Sequence, residues 1–256
     1  MIDTDFLHVL RKRELELVLH YMQPGLKVLE FGAGSGAQAL ELKKVGFNVV
    51  AIDLPESDYV NLRVMPITEY DGHRIPLESN SIDIVFSSNV LEHVENFAEI
   101  QKEFHRILRQ DGYCVHLMPS VAWRAWTFAS GIPNSMIAAV RTVREIVSPV
   151  RGTRPQALLR NMKTVVGGVL PLGHGTSIEG ISELWTFSVA AWRSRFRKAG
   201  FRVVLARPVG VFHTGHMLFG KRLSINARER LARRIGSAAS VFVVRPDERS
   251  LHEQEE

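Results

Sequence analysis

Apolar residues recur along this chain with two periods, and the switches between them divide it into elements. In DFLHVLRKRELELVLHYM (5–22), Phe6, Leu10, Leu17 and Met22 fall near helical spacing. Thr4 is the candidate N-cap, and Pro24-Gly25 ends the run. KVLEF (27–31) reads as a short buried strand, followed by the turn GAGSG (32–36) and a helical stretch, AQALELKKV (37–45). FNVVAID (47–53) predicts a second strand and 60–67 a third, interrupted near its end by Pro66. IDIVFSS (82–88) predicts a fourth and YCVHLM (113–118) a fifth, with a helix over 97–108 whose stop is Asp111-Gly112. Strand and helix alternate, and the strands are apolar on both faces. That is the pattern of a parallel sheet covered by helices on each side.

Residues 119–181 break the rhythm. They hold Trp123, Trp126, Pro133, Pro149, Pro155 and Gly167-Gly168, with short amphipathic pieces such as 135–147. Alternation resumes with a helix over 182–199 and the strand FRVVLAR (201–207), and VFVVR (241–245) predicts the last strand. An acidic tail follows, for which disorder is expected. No internal repeat or low-complexity tract is present.

Composition narrows the class. The chain has 256 residues, 45% hydrophobic and 23% charged, and one cysteine. That length suits one α/β domain with an elaboration. Cys114 alone excludes an internal disulfide and a thiolate metal site. The opening stretch carries acids and no continuous apolar run, and nowhere do about 18 apolar residues follow one another, so neither a secretory leader nor a membrane span is expected. A soluble, cytoplasmic protein is the expectation.

The net charge of +5 conceals a division. Residues 1–119 hold 11 Lys/Arg against 18 Asp/Glu, residues 120–234 hold 19 against 4, and 235–256 hold 2 against 5. The two large parts therefore suit different partners, the basic one something anionic or simply solvent.

The chemistry concentrates in VLEFGAGSG (28–36), which sets three glycines at a strand-to-helix turn. Glycine there permits positive φ and lets a ligand approach the backbone. The following helix directs its free N–H groups and positive dipole end at the same place. Asp53, closing the second strand, is placed to accept hydrogen bonds from two ribose hydroxyls. A nucleotide site follows. Gly32, Gly34 and Ala37 also satisfy the weaker dinucleotide fingerprint, so glycine spacing alone leaves NAD open. Glu30 argues otherwise: an acid two residues before the first glycine suits a cationic or hydroxyl-bearing ligand and repels a pyrophosphate.

With AIDL (51–54), YDGHRIPLESNSIDIVFSSNVLEHV (70–94), EFHRILRQDGYCVHLMP (103–119) and FRKAGFRV (196–203), the sequence resembles the class I S-adenosylmethionine-dependent methyltransferases. The resemblance is to the small-molecule group with an E/D-x-G-x-G-x-G motif, and it covers about 26–118 and 182–207. It implies a Rossmann-like three-layer αβα sandwich, with a mostly parallel seven-stranded sheet, an antiparallel last strand and a helical insertion after strand 5. The expected parts are an N-terminal helix (1–25), a cofactor-binding core (26–118), an inserted substrate cover (119–181), the rest of the α/β core (182–246) and the tail (247–256).

Carried over by position, the resemblance implies that Glu30, Gly32, Gly34 and Gly36 form the turn around the methionine part of S-adenosylmethionine. Asp53 would hold the ribose hydroxyls and Leu54 would lie on one adenine face. Asp71 would accept from the adenine amino group, the Gly72 N–H would reach a ring nitrogen, and Asn89 or Ser88 would neighbour the methionine carboxylate. Asp71 could also merely start a turn, and Leu54 could belong to the core.

Methyl transfer from a sulfonium needs alignment and exclusion of water more than a catalytic group, so no catalytic motif is obligatory. A base is needed where the acceptor carries a proton. His93, His174, His213 and His216 are candidates, with His174 foremost because it ends the inserted segment. A His213/His216 metal pair lacks a third ligand. The insertion has seven basic residues and one acid, Glu145, over 120–175, together with Trp123, Trp126 and Phe128. A small-molecule or lipid-linked, anionic acceptor fits that mixture, with peripheral membrane contact through 120–175. So does a lid packed on the domain. A cofactor-binding module without turnover and an RNA methyltransferase are the alternatives. Nucleic acid is disfavoured, because aromatics do not interleave with the basic run 193–234. The acceptor atom and the oligomeric state stay open.

Overall fold

The computed structural model describes residues 4–147, 183–215 and 219–247. Its elements are α1 (Thr4–Val18), β1 (Lys27–Phe31), α2 (Ala37–Lys44), β2 (Asn48–Asp53), β3 (Thr68–Glu69), β4 (Ile82–Ser88) and α3 (Phe97–Ile107). After these come β5 (Leu108–Pro119), α4 (Val121–Val147), α5 (Glu183–Thr186), α6 (Val189–Lys198), β6 (Phe201–Pro208), α7 (Ile225–Ile235) and β7 (Ala239–Pro246). The strands form one seven-stranded sheet in the order β3-β2-β1-β4-β5-β7-β6. β3, β2, β1, β4 and β5 pair in parallel, and β7 runs antiparallel between β5 and β6. The strand order turns back between β1 and β4, which opens a crevice at the carboxyl ends of the strands.

Period-two alternation sends successive strand side chains to opposite faces. Val28, Val49, Ala51, Ile84, Val115 and Leu117 pack with Leu15 and Val18 of α1 and with Ala39 and Leu42 of α2. Leu29, Phe31, Ile52, Val85 and Cys114 pack with Ile100, Phe104 and Ile107 of α3 and with Trp192 and Phe196 of α6. His116 on β5 belongs to this second layer. Its ring stacks with Phe104 and Phe196 at 5.9 and 5.5 Å between centroids, and its Nδ1 meets Ser87 Oγ at 2.8 Å. Burial lowers its pKa to about 3, so it is a neutral core group.

Several elements differ from the sequence expectation. The third strand is not 60–67. A 3-10 turn occupies Val60–Leu62, and pairing begins only at Thr68–Glu69, past Pro66, which has no N–H for a ladder. The helix expected over 97–108 ends at Ile107, and the chain enters β5 directly. Asp111-Gly112 falls instead in an irregularity, where pairing jumps from Ile82↔Leu108 to Ile84↔Tyr113.

The helix expected over 182–199 is two helices. Ser188 is extended between them, and its Oγ accepts the Ala191 N–H at 3.1 Å as the N-cap of α6. The short pieces expected around 135–147 are part of the 27-residue α4, which runs through Gly131 and Pro133. The rest of the insertion and the acidic tail beyond Asp247 lie outside the described residues.

α7 was not expected, because INARERLARRI looks like a solvated basic run. The buried basic residue of that run is Arg228. Its guanidinium donates to the carbonyls of Leu223, Phe212 and Gly220 at 3.1, 3.1 and 2.7 Å and lies 4.9 Å from the Phe6 ring centroid. It ties 212–223 to α7. Residues 209–211 run on beside 237–239, through Val209 N–H to Ala239 O at 2.9 Å and Ala238 N–H to Val211 O at 2.7 Å. This brings His213 to the carboxyl side of the sheet.

Candidate active site

The turn after β1 is fixed to β2. The N–H groups of Gly32 and Ala33 both donate to Ile52 O, at 3.0 and 2.9 Å. Asp53 Oδ2 accepts the Gly34 N–H at 3.0 Å, and its Oδ1 accepts the Leu54 N–H at 2.9 Å. One carboxylate thus ties the glycine turn to the end of β2. Each of its oxygens retains acceptor capacity toward hydroxyls. Gly32, Gly34 and Gly36 have φ of 71°, 58° and 76°, the left-handed region. At Gly32 the need is also steric, since a Cβ would stand 2.5 Å from Val90 Cγ1. A Cβ at Gly36 would likewise stand 2.7 Å from Met65 Cγ, whereas one at Gly34 would meet Tyr59 Cδ2 at an ordinary 3.5 Å.

Beneath the turn lies Glu30, 3% exposed, with Oε2 making no hydrogen bond among the described residues. Burial raises its carboxyl to about 8; the Ala39 N–H opposes this and the Asp53 carboxylate adds to it. A buried oxygen without a donor is unfavourable by roughly 1–3 kcal/mol, which a ligand cation or N–H would relieve. Fit to the methionine end of the donor is therefore good: an acceptor awaits a donor beside a backbone that lacks side chains.

The other expected residues are dispersed around this centre. Leu54 is exposed, and its Cδ2 lies 3.3 Å from where a Gly72 Cβ would be, so these two meet. Asp71 is exposed, and its Oδ1 accepts the N–H groups of His73 and Arg74 at 2.9 Å each. It does start a turn. Asn96 Nδ2 donates to Gly72 O at 3.1 Å and holds that turn against the start of α3. Asn89 follows β4 with φ of 55°, its N–H on Leu117 O and its Nδ2 on Ser88 Oγ. A left-handed non-glycine residue beside a binding crevice is a common form of local strain.

Among the candidate bases, His93 is exposed, whereas its neighbour Glu92 is buried, with burial raising its carboxyl to about 7 against the pull of its own backbone, Arg11 and Arg195. Sequence reasoning passed over Glu92; the available signal was an acid inside the apolar run NVLEHV. His174 and His216 lie outside the described residues. His213 is buried, and its Nε2 lies 3.2 Å from Glu14 Oε1, a pairing no local pattern announces.

Residues 29–116 match the family model described as "Methyltransferase domain". Those residues are a methyltransferase domain. That match agrees with the resemblance to the class I S-adenosylmethionine-dependent methyltransferases seen in the sequence, which implies S-adenosylmethionine as the methyl donor. A demethylmenaquinone methyltransferase of Corynebacterium efficiens is 31% identical over 93 residues, 36% of this chain and 40% of the relative. A ubiquinone biosynthesis O-methyltransferase of Rickettsia canadensis is 30% identical over 128 residues, 44% of this chain and 54% of the relative. The matches thus span about half or less of these relatives. A solved S-adenosylmethionine-dependent methyltransferase of Aquifex aeolicus superposes with a TM-score of 0.51 at 15% identity, over 90% of this chain and 88% of the other. That agreement is one of fold.

Proposed function

We propose that the chain transfers a methyl group from S-adenosylmethionine to a small or lipid-linked acceptor. The observation that carries this is the buried Glu30 oxygen without a donor, set under three glycines with positive φ and beside Asp53. Glu30 Oε2 takes the ammonium of the donor's methionine part, and the glycine turn gives that part room. Asp53 accepts from the ribose hydroxyls. Leu54 covers one adenine face, Asp71 accepts from the adenine amino group through its oxygen outside the turn, and the Gly72 N–H meets a ring nitrogen. Asn89, with Ser88, neighbours the methionine carboxylate.

The bound sulfonium supplies an activated methyl group and a neutral thioether leaving group. The protein's share is alignment at about 3–3.5 Å and exclusion of water. Calorimetric titration with S-adenosylmethionine tests the site. Asp53→Ala should remove measurable binding, and unchanged affinity for that variant would remove the assignment.

A lipid-linked acceptor is favoured by α4. Met136, Ile137, Val140 and Val143 lie at helical spacing and are each at least half exposed, and Trp185 on α5 is 70% exposed. They belong to the basic part of the chain, so apolar anchors and positive charge coincide. No helix among the described residues is long and apolar enough to cross a membrane. Two of the similar proteins are named for methylations in quinone biosynthesis, in line with an apolar acceptor. Co-sedimentation with phosphatidylglycerol vesicles should exceed that with phosphatidylcholine and fall on Val140→Asp. Equal sedimentation of both proteins with both vesicles would remove the membrane surface and leave a water-soluble acceptor.

A further inference from the structure

Two buried histidines stand among the described residues, His116 and His213, and of these His213 faces a carboxylate. We infer that His213, held by Glu14, is the base that takes the proton from the methyl acceptor.

Glu14 is fully buried on α1, 199 residues away in sequence. Its Oε2 accepts from Arg11 Nη1 at 2.7 Å and its Oε1 faces His213 Nε2 at 3.2 Å. Burial opposes its charge, but Arg11 and His213 outweigh burial and bring its pKa down to about 2. At neutral pH Glu14 is therefore ionised and can only accept, which places a proton on His213 Nε2. In the neutral imidazole the remaining lone pair sits on Nδ1. That atom is buried and has no hydrogen-bond partner among the described residues. Such an arrangement, a carboxylate fixing one ring nitrogen while the other is left without a partner, is how a histidine base is oriented.

Its position fits the role. His213 lies on the segment that continues β6 at the carboxyl side of the sheet. The next turn is fixed to α4 by the Gly215 N–H on Thr127 Oγ1 at 2.9 Å. α1 joins this segment to the donor turn: His8 Nε2 lies 3.5 Å from Ser35 Oγ, and Gln38 donates to Arg11 O. Among the described residues, the charged groups linked to the pair are Arg11 from α1, Arg228 from α7 through the Phe212 carbonyl, and Glu92 after β4, which feels Arg11. α4 contributes the uncharged Thr127.

The inference rests on the methyl-transfer reading, for an acceptor with an O–H group. The O–H bond breaks as its proton moves to Nδ1, and the freed oxygen pair forms the bond to the methyl carbon. The carbon–sulfur bond breaks with its pair staying on sulfur, giving S-adenosylhomocysteine. The imidazolium, stabilised by Glu14, returns the proton to solvent.

The test uses the full chain, methyl-labelled S-adenosylmethionine and a total extract of the source cells, lipids included. His213→Gln should lower transfer about 100-fold, with donor affinity within twofold of wild type. Its residual rate should climb with hydroxide between about pH 7 and 9, a response that a merely structural histidine would not give. Wild-type transfer with an undiminished His213→Gln overturns the base and leaves methyl transfer standing. No transfer by the wild type overturns both. If His213→Gln has no thermal unfolding transition, Glu14→Gln decides. Its kcat should fall at least about tenfold while its KM for S-adenosylmethionine and its donor affinity stay within twofold of wild type; an unchanged kcat overturns the proposal.

Discussion

On the proposed reading, the donor side and the acceptor side of the crevice are built in opposite ways. On the donor side the decisive contacts join residues close in sequence: Gly34 to Asp53 is 19 positions, and Leu54 to Asp53 is one. On the acceptor side they span the chain, with Glu14 to His213 at 199 positions, Arg13 to Glu229 at 216 and Ser120 to Ser237 at 117. The donor-side contacts lie within the acidic part of the sequence, whereas Glu14–His213 and Arg13–Glu229 join that part to the basic one. A turn that must meet one invariant ligand is coded locally. A surface that must meet a particular acceptor is assembled from distant pieces, and the fold leaves those free to vary.

The comparison breaks first at Gly32. Gly32→Ala places a methyl group 2.5 Å from Val90 Cγ1 at a φ of 71°, so stability should fall by roughly 3–4 kcal/mol with donor binding lost. Adding Val90→Ala should restore part of the melting temperature, since only the steric share is relieved. If Gly32→Ala melts and binds like wild type, the turn is not held as described.

Next comes the acceptor side, through Arg228. Arg228→Met strips donors from the carbonyls of Phe212, Gly220 and Leu223, and the expected loss is about 3 kcal/mol by urea unfolding. Donor affinity should change little, because none of those three carbonyls belongs to the glycine turn or to Asp53.

A smaller effect comes from acid. Glu14 is depressed from 4.5 to about 2 in the folded protein, so the stability it contributes is present above about pH 4.5 and lost as pH falls toward 2. The loss is on the order of 2–3 kcal/mol, and Glu14→Gln should flatten that part of the stability–pH curve.

Smallest is the expected change in donor affinity at Glu30, whose folded pKa of about 8 lies above the ordinary 4.5. Between those values the unfolded chain has given up a proton that the folded protein keeps, so stability declines as pH rises through that window. A cationic donor requires the carboxylate. Its binding should release a proton near pH 7 and tighten toward pH 8, and Glu30→Gln should weaken it about tenfold while abolishing proton release.

The same contrast explains what could be read from the sequence. β1, β2, β4 and the glycine turn were legible because their apolar runs and glycines are local signals, and IDIVFSS coincides with β4. β3 was misplaced because only two residues pair, too few for a pattern. α7 was hidden because its one buried polar residue, Arg228, is satisfied by backbone carbonyls rather than by a carboxylate visible nearby. Glu30 and Asp53 could be singled out from spacing, whereas the Glu14–His213 pair could not. Nothing within α1 indicates that its most buried acid faces a loop that follows β6.

The most direct test is the structure of the protein grown with S-adenosylhomocysteine. The account predicts ribose hydroxyls within hydrogen-bonding distance of Asp53, the amino-acid ammonium on Glu30 Oε2, and Val90 and Tyr59 moved only enough to admit the ligand. A ligand bound elsewhere, or a crevice closed over Glu30 with saturating ligand present, would contradict it.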